Sequence, residues 1–306
     1  MKKNLLIALM ALPLLFAGCG SEAKLYVYEY PAAYDESNIM NYTGDSYEYT
    51  ETKDYVDTSA LQSISFDFAG VQYKLAYQDT SQKEFVPYEE ENYISPDGVG
   101  ISFKKGTEQV CGIWSEIGLC ISDLENPKTE AEFRQISDFF IGNYIAIEDY
   151  TCSLTTEVAY FLQEGEKASR WFETKDSFYA SNSETETVQY TFTYIRYLDG
   201  FMTSDIAEVI LNSDGTLDSL TLTNIGAFEN IKKPMVQQDT LDMAISEKVK
   251  AICSEGYQVE NVQSDVIVCM DKEGQLFFLV SAKPIIRALS NNEHMEGTCI
   301  FIVAEE

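Results

Sequence analysis

Apolar and polar residues alternate from Ser63 to Phe68 and again from Val71 to Tyr77, with Ala69-Gly70 between them. That pattern predicts a hairpin with one apolar face. After a loop holding Pro87 and Pro96, Gly100 to Lys104 and Gln109 to Trp114 predict a second pair around Lys105-Gly106-Thr107. The period then changes. Beyond Pro127, apolar residues recur at helical spacing as Phe133, Ile136, Phe140, Ile141 and Tyr144, and Gly142-Asn143 weakens the end. Thr129 can cap this helix, with Glu132 three residues on, in a capping-box arrangement. An extended stretch from Asp149 to Phe161 follows, then a polar excursion from Gln163 to about Glu186. Strands are expected at Val188–Leu198, Ile206–Leu211 and Leu217–Leu222, with turns at Asp199-Gly200 and Ser213-Asp214-Gly215.

A second helix is predicted from about Thr240 to Cys253, capped by Asp239 or Thr240 and ended by Gly256. Its apolar stripe is Leu241, Ala244, Ile245, Val249 and Ile252. Strands Tyr257–Val262, Val266–Met270, Leu276–Ile285 and Thr298–Val303 complete the chain. Two stretches align without a gap: Val209 to Leu217 matches Val268 to Leu276. In each, an apolar strand ends in Asn or Asp, turns at an acidic-Gly pair and restarts on Leu. The repeat predicts matching places for Leu211 and Met270, each pointing from a central strand onto its own helix.

The N-terminus has a different character. Lys2 and Lys3 precede an apolar stretch from Leu5 to Leu15, and Phe16-Ala17-Gly18 runs into Cys19. A basic start, a short apolar region and small residues before a cut mark a secretory signal, and the stretch is shorter than the roughly 20 residues of a membrane span. Small residues leading directly into a cysteine resemble the signal of a bacterial lipoprotein, with Phe16 where Leu is usual. The resemblance implies cleavage after Gly18, lipid attachment at Cys19 and a protein tethered in the cell envelope, facing outside the cytoplasm. The competing reading is an ordinary secretory signal that contains a cysteine.

Residues 20–58 hold eight tyrosines, nine acidic residues and two lysines. Low aliphatic content with net negative charge reads as a solvated tether. A coil of this length spans on the order of 35 Å. Loss of residues 1–18 takes the net charge from −29 to −31, which disfavours nucleic acid and anionic lipid headgroups as partners. The membrane link therefore rests on the lipid. Beyond Cys19 lie six cysteines, Cys111, Cys120, Cys152, Cys253, Cys269 and Cys299. An even number outside the cytoplasm permits disulfides, with buried free thiols as the alternative. A bridge between Cys111 and Cys120 is the local candidate, because Gly118 lets the intervening chain turn.

The run from Thr191 to Gly200, TFTYIRYLDG, followed by Asp205 to Leu217, resembles PepSY-type and metalloprotease-propeptide modules. There an aromatic strand ends in a glycine turn and the next strand leads into an Asp-Gly hairpin. The helix at 129–145 followed by Glu148-Asp149-Tyr150 is similar to the helix-to-strand passage of that group. The resemblance implies an α+β fold of two cystatin-like modules, each an antiparallel sheet curled around one helix. Such modules bind or inhibit other proteins, proteases among them. The expected organisation is a signal at 1–18, a tether at 19–58, a β-rich region at 59–125, and modules at 126–230 and 231–306.

Motifs for chemistry are sparse. His294 is the only histidine, so a HExxH zinc site lacks its parts and a Ser-His-Asp or Cys-His arrangement would have to use His294, whose polar surroundings from Ser290 onward read as a surface loop. No CxxC pair and no GxxxxGK[ST] or GxGxxG run occurs. Asn212-Ser213-Asp214-Gly215 and Asp271-Lys272-Glu273-Gly274 suggest calcium loops at first sight, but alternating strands flank both, which favours hairpin turns. The expectation is a non-catalytic lipoprotein without cofactor or metal that binds a protein partner, an envelope protease being one candidate. A small-molecule or glycan binder using Trp114, Trp171 and tyrosines is the alternative, followed by a hydrolase with a carboxylate site.

Overall fold

The computed structural model describes residues 25–29, 63–68, 70–83, 86–124, 126–161, 167–174, 185–231, 236–253, 255–270 and 274–305. The signal, Cys19 and most of the tether lie outside these. The first five strands are β1 (Leu25–Glu29), β2 (Ser63–Phe68), β3 (Val71–Ser81), β4 (Glu90–Ile94) and β5 (Val99–Lys104). Then come β6 (Val110–Leu119), helix α1 (Glu130–Ile141), a 3-10 turn (Ile147–Asp149), β7 (Tyr150–Phe161), β8 (Lys167–Thr174), β9 (Thr185–Leu198), β10 (Phe201–Asn212) and β11 (Leu217–Thr223). Helix α2 (Gln238–Ile252) leads into β12 (Tyr257–Met270), β13 (Leu276–Ala288), β14 (His294–Glu296) and β15 (Cys299–Glu305).

Among the described residues all fifteen strands join in one sheet. Its main path runs β1-β15-β13-β12-β10-β11-β6-β5-β4-β3-β2, and β9 carries β7 and β8 off the side of β10. The sheet is mixed, because β10 and β12 lie parallel where Met202 faces Ile267 and Thr203 faces Val268. Both helices pack on this mostly-β sheet, so the class is α+β. Two separate antiparallel sheets were expected. Instead β10 changes neighbours along its length, pairing with β12 at Met202 and Thr203 and with β11 from Ile206 onward.

Helix α1 begins as its sequence dictates. The Thr129 side chain accepts from the Glu132 amide, and the Glu132 carboxylate accepts from the Thr129 amide at 2.9 Å. Phe133, Ile136, Phe140 and Ile141 are buried, with the Phe133 and Tyr190 ring centroids 4.2 Å apart. That core extends through Phe68, Leu75, Ile101 and Ile113, so the β-rich N-terminal region and the first helix bury one face together. Helix α2 buries Leu241, Ile245 and Val249 in a second core with Val268, Val280 and Phe301. It starts at Gln238 after Gln237, without a side-chain cap; neither Asp239 nor Thr240 fills that role, because both already lie in the helix. No helix among the described residues is long and apolar enough to cross a membrane.

Three further expectations change. The stretch read as tether contributes β1, whose Leu25 to Glu29 pairs antiparallel with Glu305 to Phe301 of β15. The polar excursion contains β8, which pairs with β7 from Leu154↔Thr174 to Phe161↔Lys167. The Cys111–Cys120 bridge is not formed, and both are free thiols. Strand β6 pairs with β5 on one side and β11 on the other, and although it bulges between Trp114 and Leu119, it puts Cys111 and Cys120 at opposite ends, on the order of 20 Å apart at the usual strand rise. Gly118 has φ +70, and an added Cβ would crowd Thr216; it allows close approach to the β10–β11 turn and does not reverse the strand. Cys152, Cys253, Cys269 and Cys299 are also free.

Candidate functional site

The described residue with the most concentrated polar surroundings is Asp205, whose side chain is 0% exposed. Its position follows from a bulge. In the β10–β9 ladder Met202 faces Tyr197 while Ile206 faces Ile195, so β10 carries two extra residues there. Bulges re-aim side chains, and this one turns Asp205 toward β7 and β9 at the place where β10 changes neighbours.

Three donors converge on it. The Tyr150 hydroxyl donates to Asp205 Oδ1 at 2.7 Å. Arg196 Nε and the Gly226 amide donate to Oδ2, both at 3.1 Å. Tyr150 and Arg196 are directly opposite across β7 and β9, and the guanidinium lies over the Tyr150 ring at 4.8 Å. Arg196 also reaches Asp149 Oδ2 at 3.2 Å and Glu229 Oε1 at 3.9 Å. Gly226 belongs to the turn at 224–230, which leaves the first core at Ile225 and inserts Phe228 into the second. Thr203 closes the bulge, its hydroxyl donating to the Arg196 carbonyl at 2.8 Å and accepting from the Asp205 amide at 3.2 Å.

Burial pushes the Asp205 carboxyl above its ordinary value, while Tyr150, Arg196 and the Gly226 amide pull it back. Burial and the adjoining carboxylate raise Tyr150. Both carboxylate oxygens thus accept from fixed protein donors. The arrangement locks β7, β9, β10 and the 224–230 turn together at the junction of the two cores. A buried ion pair supplied with extra hydrogen bonds favours a defined arrangement over strength of association.

A second polar group lies beside it, where the 224–230 turn and β10 meet the N-terminal region. Asn224 Nδ2 donates to Ser204 Oγ at 2.9 Å, and the Asn224 amide donates to the Tyr88 hydroxyl at 3.3 Å. Lys104 sits over the Tyr88 ring at 4.8 Å. Buried Glu90 pairs with Lys83 at 3.1 Å. Cys111, next to Tyr88 and Glu90, is raised by burial and by the Glu90 charge. Such a thiol is held protonated and is a poor nucleophile.

Other sequence candidates fall elsewhere. His294 opens β14 rather than lying in a loop, and its Nε2 is 2.9 Å from Glu260 Oε2; Glu260 also pairs with Arg287 at 2.7 Å. Asp214 serves its own turn, with Oδ1 accepting from the Thr216 amide at 2.9 Å and the Thr216 hydroxyl at 2.7 Å. Residues 271–273 of the matching turn lie outside the described residues. Trp114 packs flat on β5, where a Cβ at Gly100 would collide with its indole. An open surface depression is lined by Lys250, Cys253, Tyr257, Gln258 and Val259, with no carboxylate among them. Sequence reasoning passed over Asp205, Arg196 and Tyr150 as a group. Their only legible sign was a charged residue inside each of two otherwise strand-like runs. No protein-family model matches this chain, and no curated protein or solved structure matches it.

Proposed function

We propose that this chain is a lipid-anchored, extracytoplasmic and non-catalytic protein that binds a protein partner through its sheet platform. The observation that carries the reading is the repeated unit itself. Each helix packs on consecutive antiparallel strands, α1 on β9 and β10 and α2 on β12 and β13, which supports the likeness to the helix-on-sheet plan of PepSY-like and cystatin-like modules. The Asp205 network supports a rigid platform, since it spends its charged groups on holding the junction. Rigid sheets with free edges favour partners that add a strand or lie along the edge. An envelope protease is one partner class such modules suit. The glycan alternative has less support, because Trp114 is used in packing between strands.

Two measurements test this reading. Replacing Cys19 by Ser should move the protein from the membrane fraction to the soluble fraction; retention at the wild-type level overturns the lipid anchor. Crosslinking on intact cells, followed by purification of the full chain, should recover one protein in a stoichiometric ratio. Recovery of the chain alone overturns the protein-partner reading.

A further inference from the structure

The stretch expected to act as a spacer contains β1, and β1 starts very near the proposed lipid. Only residues 20–24 separate Cys19 from Leu25, a reach of about 20 Å at most when fully extended. Leu25 to Glu29 then pair in full register with Glu305 to Phe301, and α2 packs against β1 as well as β15. We infer that residues 25–29 are an anchoring strand that holds the C-terminal part of the sheet against the bilayer surface, in one orientation, in place of a flexible spacer. This rests on lipid attachment at Cys19.

The pairing also fixes which end faces the membrane. Leu25 lies opposite Glu305, Ala304 opposite Phe277 and Leu276 opposite Met270. The start of β1, the chain's C-terminal end and the β12–β13 turn therefore share one end of the sheet. The β13–β14 turn around Ser290 is at the other end, one strand length away, or about 40 Å for the 13 residues of β13. The first core lies across β10, away from the anchored edge. From Glu29 the chain must re-enter at β2, the opposite end of the main path. That path has ten strand spacings, roughly 48 Å, and 33 intervening residues reach that far. The acidic chain gives no electrostatic adhesion to anionic lipid, so the strand pairing has to set the orientation.

The test uses the full lipidated chain in phosphatidylcholine vesicles that carry an energy acceptor on the headgroup. A fluorescent amino acid is placed at exposed Gln275 in one version and at exposed Ser290 in another. In protein that floats with the vesicles, the probe at 275 should be quenched severalfold more than the probe at 290. Adjacent Val27→Pro and Tyr28→Pro changes remove at least one donor facing β15 and should erase that difference. Equal quenching of the two probes in floated wild-type protein overturns the anchoring strand. A difference that survives the double proline change overturns it as well. Failure of the wild-type chain to float overturns lipid attachment itself, and this inference with it.

Discussion

The two helices do the same job in unequal settings. Helix α1 has a complete capping box and buries Phe133, Ile136, Ser137, Phe140 and Ile141. Its core runs on into the N-terminal strands, where Phe68 meets Phe140 edge-on at 5.6 Å between centroids. Helix α2 has no side-chain cap and buries Leu241, Ile245 and Val249. Its core is completed from outside, with Phe201 from β10 meeting Phe278 at 5.5 Å and Phe228 coming from the turn after β11. Strand β1, from the far N-terminus, covers the β15 edge. The first unit gains its depth from the N-terminal strands of the same sheet; the second borrows residues that precede it in sequence. A boundary placed near residue 230 therefore cuts through the second core.

The largest effects should come from the borrowed and shared residues. Phe228→Ala should destabilise the second core by about 3–5 kcal/mol, as a large aromatic deletion in a core does. Hydrogen exchange should then rise first in α2 and β12. Unchanged protection there would mean that residues 231–306 build their own core. Asp205→Ala leaves Arg196 without its buried counter-charge and should cost about 3–5 kcal/mol in denaturant unfolding. That loss should expose both cores together. A loss confined to one core would show that the network does not join them.

The repeat gives a sharper, smaller contrast. Its closing pairs match, Leu211 with Leu217 and Met270 with Leu276. The ladders part at once, because Ile210 faces Ser219 and Asp218 is left as a bulge, whereas Cys269 faces Phe277 with no interruption. Leu211 is fully buried and Met270 only half-buried. Leu211→Ala should cost about 2–5 kcal/mol, and Met270→Ala clearly less; equal losses would contradict the difference in burial. The helix starts should separate by less again. Thr129→Ala should cost about 1 kcal/mol, while Gln237→Ala should stay within about 0.5 kcal/mol, as exposed changes do.

Acidity offers the mildest test. Burial raises the carboxyls of Asp205, Glu208 and Asp218 in the folded chain. The folded chain then holds these protons more tightly than the unfolded chain. Their stabilising contribution is present below the ordinary carboxylate range and is lost as pH rises through the raised values. Glu132 works in the opposite sense, because the amides of Lys128 and Thr129 hold its carboxyl low. Three groups with raised values, Asp205 buried and Glu208 and Asp218 half-buried, outweigh the one that is lowered, so the melting temperature should fall as pH rises from about 4 toward neutrality. Changing all three to the amides should flatten that slope; an unchanged slope would assign it to the remaining surface charge.

Local signals in the sequence settled much of this molecule. The capping box at Thr129, the helical stripes, the β2–β3 hairpin and the Asp199-Gly200 turn, where both residues take positive φ, all depend on neighbours a few positions apart. The run Leu25-Tyr26-Val27-Tyr28 also carried strand-forming residues, but the acidic, tyrosine-rich composition around it spoke for a coil. Lys167 to Thr174 was masked in the same way by polar flanks. What only the tertiary structure decided was which edges meet: β1 with β15, β10 with β12, and the convergence of Tyr150, Arg196, Asp205 and Gly226. An edge strand finds its partner through main-chain hydrogen bonds that almost any sequence supplies. A buried charge cluster gathers residues whose separation along the chain, up to 76 positions here, leaves no periodic trace. The same reason hid the fate of Cys111 and Cys120: proximity in sequence suggested a bridge, and an extended strand held at both edges kept them apart.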